Sequence, residues 1–185
     1  MTVDIYYREW DGKNDSHEYL NQAIQQYYKT RGKSCPGDLT FARNGKFGKP
    51  YMEELPDLYF SISHSGIWWF CAIAEEEIGL DVQEPYTRNQ EKLARRFFHP
   101  DEVLFLEQCG FEQFSRFWTY KESYVKYTGV GLLDGLDYFS VVDVQNGEMG
   151  VKGVCQQEVP FQDDFWVVLT SKKRAETKLI PLTSS

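Results

Sequence analysis

The stretch Phe117–Leu132, "FWTYKESYVKYTGVGL", sets a lysine–glutamate pair and a second lysine among aromatic rings. At about 100° per residue, Ser115, Thr119, Glu122 and Lys126 fall within about 60° of one another and form one polar stripe. Phe111, Phe114, Trp118 and Val125 lie beside that stripe and pack inward, so the stripe borders a core instead of facing away from it. Gly129 is placed to end the helix in a left-handed cap. Two readings are open. Glu122 and Lys126 form either a solvated pair one turn apart, worth about 0.2–0.5 kcal/mol, or a carboxylate held at the edge of a cleft with an ammonium nearby.

Upstream, "IGLDVQEP" puts Asp81 where a strand emerges from an apolar run, with Gln83 two residues on and on the same strand face. Asp81 is either a solvated turn residue or a metal ligand. Mg²⁺ takes one or two protein carboxylates and fills its shell with waters and phosphate oxygens, and Asp81 with Glu122 would supply that pair. No histidine or cysteine cluster accompanies them, which argues against zinc. In "FSISHSG", Ser63 and His64 are adjacent on a strand and point to opposite faces, so they do not make a nucleophile–base pair. They read as structural residues or as phosphate contacts. Lys46 and Lys49 sit in the glycine loop "GKFGKP", either facing solvent or cradling phosphate; the Walker pattern is absent.

The remaining chain supplies the frame. "VDIYYREW" reads as a strand and Ser16–Thr30 as a helix stopped by "RGKSCPGD". "LTFAR" is a further strand, and "LYFSISHS" with "IWWFCAIA" forms a hairpin turning at Ser65–Gly66. From Arg88 to Thr128 the pattern is helical, with a break at His99–Pro100. Three strand-like runs follow: "DYFSVVDV", "GVKGVCQ" and "DFWVVLTS". Each half thus reads as a helix with strands in similar order. The expected fold class is α/β (α+β), two similar lobes meeting near Ala74–Ile78, with residues 1–76 as the N-terminal lobe and 77–185 as the C-terminal one.

Bulk properties limit the function. The chain has 185 residues, 42% apolar, enough for one good core or two small lobes sharing one. A net charge of -8 disfavours broad binding to nucleic acid or anionic membranes. Between Tyr86 and Tyr127, however, seven basic residues outnumber six acidic ones, leaving a face able to receive an acidic partner or a phosphorylated ligand. No run is apolar for the roughly 20 residues a bilayer span needs, the N-terminus lacks a leader pattern, and the four cysteines have no ligand spacing. A reduced, cytoplasmic location is expected.

Taken in order, "FGKPYMEELPDLYFSISHSGIWW", "IGLDVQ", "ARRFFHPDE" and "FWTYKESYVKYTGVGL" resemble the 4'-phosphopantetheinyl transferases of the surfactin-synthetase-activating type. The resemblance runs from about Thr40 to Val142 and continues more weakly to Thr170. It implies a pseudo-dimer of two α/β lobes with coenzyme A in the cleft between them. The implied reaction moves the phosphopantetheine arm of coenzyme A to a serine of an acyl or peptidyl carrier protein and releases 3',5'-ADP. Asp81 and Glu122 would hold Mg²⁺, Glu122 would help deprotonate the serine, and Lys126 would stabilise charge on the pyrophosphate. Lys46, Lys49, Ser63 and His64 would grip phosphates. The carrier would dock along "TRNQEKLARRFF", and two lobes in one chain imply a monomer.

Two departures from the family pattern are visible. Gln83 stands where an acid often follows the aspartate, so weaker metal affinity is expected. Around His17 the chain reads "DSHEYLNQ", with Glu18 in place of a basic residue, and the N-terminal lobe is short. A non-catalytic module that binds carrier protein or coenzyme A is the alternative these departures motivate.

Overall fold

Strand β1 (Thr2–Glu9) is flanked on both edges and covered on both faces, and its side chains divide accordingly. Val3 and Ile5 enter one core, while Tyr6 enters another beneath helix α1 (Ser16–Thr30). The helix lays Tyr19, Leu20, Ala23, Ile24 and Tyr27 on the sheet, the i, i+3/i+4 spacing of an amphipathic face. The computed structural model describes residues 1–10, 16–37, 39–43, 48–131 and 135–183. The expected phosphate contact at Lys46 lies outside these described residues.

A small pair, β2 (Phe41–Arg43) and β3 (Pro50–Met52), follows α1. Then comes the expected hairpin, β4 (Tyr59–Ser65) and β5 (Trp68–Ala74), closed by Gly66 at φ 55°. β6 (Ile78–Gln83) opens the second sheet. Helices α2 (Gln90–Phe97) and α3 (Pro100–Cys109) are separated at His99, whose side chain and Glu102 form a capping box at the start of α3. A single 3₁₀ turn, Phe111–Gln113, leads into α4 (Phe114–Thr128), which ends on Gly129 at φ 72°, ψ 8°. This is the left-handed cap the sequence predicts.

Beyond α4 lie the short pair β7 (Val142–Asp143) and β8 (Glu148–Met149), then β9 (Cys155–Glu158), β10 (Trp166–Ser171) and β11 (Glu176–Pro181). One sheet has the order β11-β1-β5-β4 and the other β6-β10-β9. Val3, Ile5, Phe70 and Ala72 from the first share a core with Leu80, Val82, Val167 and Leu169 from the second. An α+β class is therefore observed. β11 has no counterpart in the sequence reading: it pairs in parallel with β1, so the chain that leaves the first sheet after β5 returns to it at the end. Among the described residues no helix is long and apolar enough to cross a membrane.

The two sheets meet where β4 runs beside β6, and the join is made by side chains. The Ser61, Ser63 and Ser65 hydroxyls accept the backbone N–H groups of Leu80, Val82 and Glu84 at 2.9, 3.2 and 2.9 Å. The period of two in "SISHS" aims all three serines at β6 while Ile62 and His64 point elsewhere. β6 thus keeps its amides satisfied on the side away from β10.

Candidate active site

A cleft of about 560 Å³ opens where α1, β2, β4 and α4 converge, and His17, Phe41, Arg43, Lys49, Glu122 and Lys126 are among the residues that line it. Its position follows from the contact of α4 on β6. Gly79 lies against the α4 backbone at Ser123 and Tyr127, leaving no room for a Cβ. Two residues further along β6, Asp81 comes to the same helix, beside Glu122 and Lys126. The polar stripe read from the sequence thus divides by depth: Ser115 and Thr119 are buried, and Glu122 and Lys126 reach the cleft.

Lys126 turns to Asp81. Its Nζ donates to Asp81 Oδ1 at 2.7 Å and to Ser63 Oγ at 2.9 Å, and Ser63 Oγ donates to the same Asp81 oxygen at 2.7 Å. Asp81 Oδ1 is thereby held by two donors while Oδ2 is buried with no hydrogen-bond partner. Glu122 Oε1 is buried without a partner as well. Burial first, and the neighbouring Asp81 charge second, push the Glu122 carboxyl up to about 7, against the pull of Lys126. Two neighbouring carboxyl groups, each with a buried oxygen that has no partner, fit a hard divalent cation, which would relieve the charge repulsion and satisfy both atoms. Among the described residues no group of three or more His, Cys, Asp or Glu is arranged to hold a metal. A cation here would rest on the Asp81–Glu122 pair, with the amide of half-buried Gln83 on the same face of β6.

The other expected residues fall around this centre. Lys49 lines the cleft and pairs with Glu77 and the Ile78 carbonyl; burial lowers its pKa. His64 is exposed on the opposite strand face from Ser63, its ring 4.3 Å from that of Trp10. Partial desolvation, and then the charge of Lys126, lower its pKa. The structure therefore brings Asp81, Glu122, Lys126 and Ser63 together and sets Lys49 and His64 at the margins. Arg43 and Phe41 in the cleft wall carried no signal in the sequence, because only the folding of β2 against α1 places them there; His17, which lies in the stretch that departs from the family pattern, joins them.

Lys121, counted in the sequence among the seven basic residues of a face for an acidic partner, is instead fully buried with Glu102. Its Nζ donates to both Glu102 oxygens at 2.7 and 2.8 Å and to the Phe139 carbonyl at 2.6 Å. Glu102 also accepts from the amides of His99 and Val141. Burial pushes Glu102 up and Lys121 down, and their contact opposes both shifts. This pair ties α3, α4 and the segment at residues 139–141 into one unit behind Glu122.

Fold and site define an α+β protein with a two-carboxylate, one-lysine centre beside a cleft that Glu122 and Lys126 line. Residues 77–177 match the 4'-phosphopantetheinyl transferase superfamily, and the chain belongs to it. It is 38% identical over 123 residues to a 4'-phosphopantetheinyl transferase of Bacillus subtilis, covering 63% of this chain and 53% of that protein. To 4'-phosphopantetheinyl transferase Sfp of Bacillus subtilis strain 168 it is 33% identical, covering 78% and 66% respectively. To the transferase gsp of Aneurinibacillus migulanus it is 30% identical, covering 69% and 54%. The matched region spans between about half and two thirds of the length of these curated relatives.

Proposed function

We propose that this chain transfers the 4'-phosphopantetheine group of coenzyme A to a serine of an apo acyl or peptidyl carrier protein, releasing 3',5'-ADP. The observation that carries the reading is the pair of unpartnered buried oxygens, Asp81 Oδ2 and Glu122 Oε1, beside Lys126 at the cleft. Asp81 and Glu122 would hold Mg²⁺, with Gln83 adding a neutral oxygen. Bound there, the ion would supply charge neutralisation for the pyrophosphate.

The chain's own residues supply positioning and charge, which is most of what phosphoryl transfer asks of a protein. Glu122, through the carboxylate oxygen that the ion leaves free, takes the proton of the serine hydroxyl. The serine oxygen bonds to the phosphorus bearing pantetheine, and the bond from that phosphorus to the bridging oxygen breaks. The bridging oxygen leaves with 3',5'-ADP, and Lys126 meets the charge that develops on it. Lys49, at the cleft wall, with Lys46 and His64, holds phosphates of the nucleotide half.

The same reading makes the chain a cytoplasmic monomer. It takes residues 1–76 and 77–185 as two lobes of a pseudo-dimer, with β11 crossing back to the first. The exposed basic residues of α2 form the carrier's docking rim. Intact mass of an apo carrier after incubation with the protein, coenzyme A and Mg²⁺ tests the function. A gain of one phosphopantetheine, lost on chelation and abolished in Glu122→Gln while the fold stays intact, is expected. Near-normal transfer by Glu122→Gln would end the assignment.

A further inference from the structure

Ser63 sits where the two sheets are stapled together and where Asp81 is held, and both contacts use the same hydroxyl. A serine hydroxyl has one donor and two acceptor positions. Here the donor goes to Asp81 Oδ1 at 2.7 Å, and the acceptors take Val82 N–H at 3.2 Å and Lys126 Nζ at 2.9 Å. The side chain is buried, and its hydrogen-bonding capacity is full. Its neighbours Ser61 and Ser65 make the same staple to Leu80 and Glu84 without touching the carboxylates.

We propose that Ser63 is a positioning residue for Asp81: it fixes Oδ1 through a hydrogen bond anchored on the β6 backbone, so that Oδ2 faces Glu122. This differs from the phosphate contact that the family resemblance implies, because a saturated, buried hydroxyl has nothing left to offer an anion. Where the function proposed above holds, the consequence is metal affinity. A ligand carboxylate oriented by a second hydrogen bond binds its ion more tightly, and loss of such an outer partner typically costs about 10- to 100-fold.

The staple by itself has a different signature. Ser63→Ala and Ser65→Ala each remove one acceptor for a β6 amide, and both should lower the melting temperature. Only Ser63→Ala should also weaken Mn²⁺ binding, followed by electron paramagnetic resonance of the free ion, by about 10- to 100-fold. Its affinity for coenzyme A in the absence of metal should be unchanged, and Ser63→Thr, which keeps the hydroxyl, should restore Mn²⁺ binding. If Ser63→Ala bound Mn²⁺ as the wild type does, the proposal would be overturned. Loss of coenzyme A affinity with Mn²⁺ binding intact would overturn it too, returning Ser63 to the phosphates.

A second arm needs no metal. In metal-free protein, the stability effects of Ser63→Ala and Asp81→Asn should be coupled in a double-mutant cycle, while those of Ser65→Ala and Asp81→Asn should add. Additivity in both cycles counts against Ser63 as the residue that positions Asp81. A wild type that took up no Mn²⁺ yet showed the coupling would support the positioning role and remove the metal from the proposed function.

Discussion

Gly79 and Ser123 meet backbone to backbone: a Cβ on Gly79 would run into the Ser123 carbonyl oxygen. This close approach sets helix α4 directly on strand β6. From it follows the geometry of the site, because Asp81 lies two residues beyond Gly79, and Glu122 and Lys126 lie on either side of Ser123. A glycine in "IGLDVQ" is thus a spacing device between the two elements that carry the carboxylates.

Gly79→Ala should therefore separate α4 from β6. The added methyl meets main chain, which cannot rotate away, so the cost should reach about 3 kcal/mol, the upper end of ordinary overpacking. Urea denaturation measures it. Mn²⁺ affinity should fall in the same variant, since the carboxylates move apart. A Gly79→Ala protein of wild-type stability would show that the helix sits less tightly than the structure has it.

The raised carboxyl of Glu122 gives the metal-free protein a definite pH dependence. Folded, the group holds its proton up to about 7; unfolded, it releases it near the ordinary glutamate value of 4.5. Between these values the folded state binds more protons, so the stability from this group is fully present at the acid end and is lost as pH rises through about 7. The melting temperature of metal-free protein should fall from about pH 5 to pH 8 relative to Glu122→Gln, in which this titration is absent. Saturating Mg²⁺ should remove the fall. Parallel profiles for wild type and Glu122→Gln would show that burial at this position does not hold the proton.

Much of this architecture is legible in local sequence patterns. The bounds of α1, the hairpin at Ser65–Gly66, the break at His99–Pro100 and the Gly129 cap are written in local patterns, and the structure has each of them. Asp81, Glu122 and Lys126 were legible because each stands at a meaningful phase of its element. β11 was not: "ETKLIP" alternates weakly and gains its place only by pairing with β1, at the opposite end of the sequence. Lys121 was illegible for a similar reason. Helical phase alone cannot show a lysine buried against a glutamate 19 residues away on another helix. The serine staple went unread: Ser63 drew notice only beside His64, and nothing local shows the strand that the three hydroxyls meet.

The Lys121–Glu102 pair carries its own prediction. Lys121→Met leaves the Glu102 carboxylate buried without its counter-charge and should cost about 3–5 kcal/mol. Glu102→Leu combined with Lys121→Met should recover part of the loss, because replacing both members removes the unpaired charge. Recovery should be incomplete: the His99 and Val141 amides that Glu102 accepts from would be left without an acceptor, at about 1–3 kcal/mol each. Equilibrium unfolding of the three variants decides this. A double variant no more stable than Lys121→Met alone would place the cost in packing around the site and not in the charge.

The docking rim proposed along α2 would depend on which of its cations still have charge to offer. Arg95 is committed: it pairs with Glu91 at 2.8 Å on its own helix and with Glu107 of α3 at 2.7 Å. Lys92 and Arg96 are exposed on the same helix, and the Arg96 guanidinium lies over the half-buried ring of Phe97. If an acidic carrier meets this rim, Lys92 and Arg96 do the steering, and exposed charges act mainly on encounter. Charge reversal at both, Lys92→Glu with Arg96→Glu, should raise KM for the carrier several-fold, with a stronger effect at low salt, and leave KM for coenzyme A unchanged. Arg95→Ala should change carrier KM far less, since it removes a charge already neutralised within the protein. Steady-state kinetics with each substrate varied in turn separates these outcomes. A carrier KM insensitive to the double reversal would move the docking surface off α2.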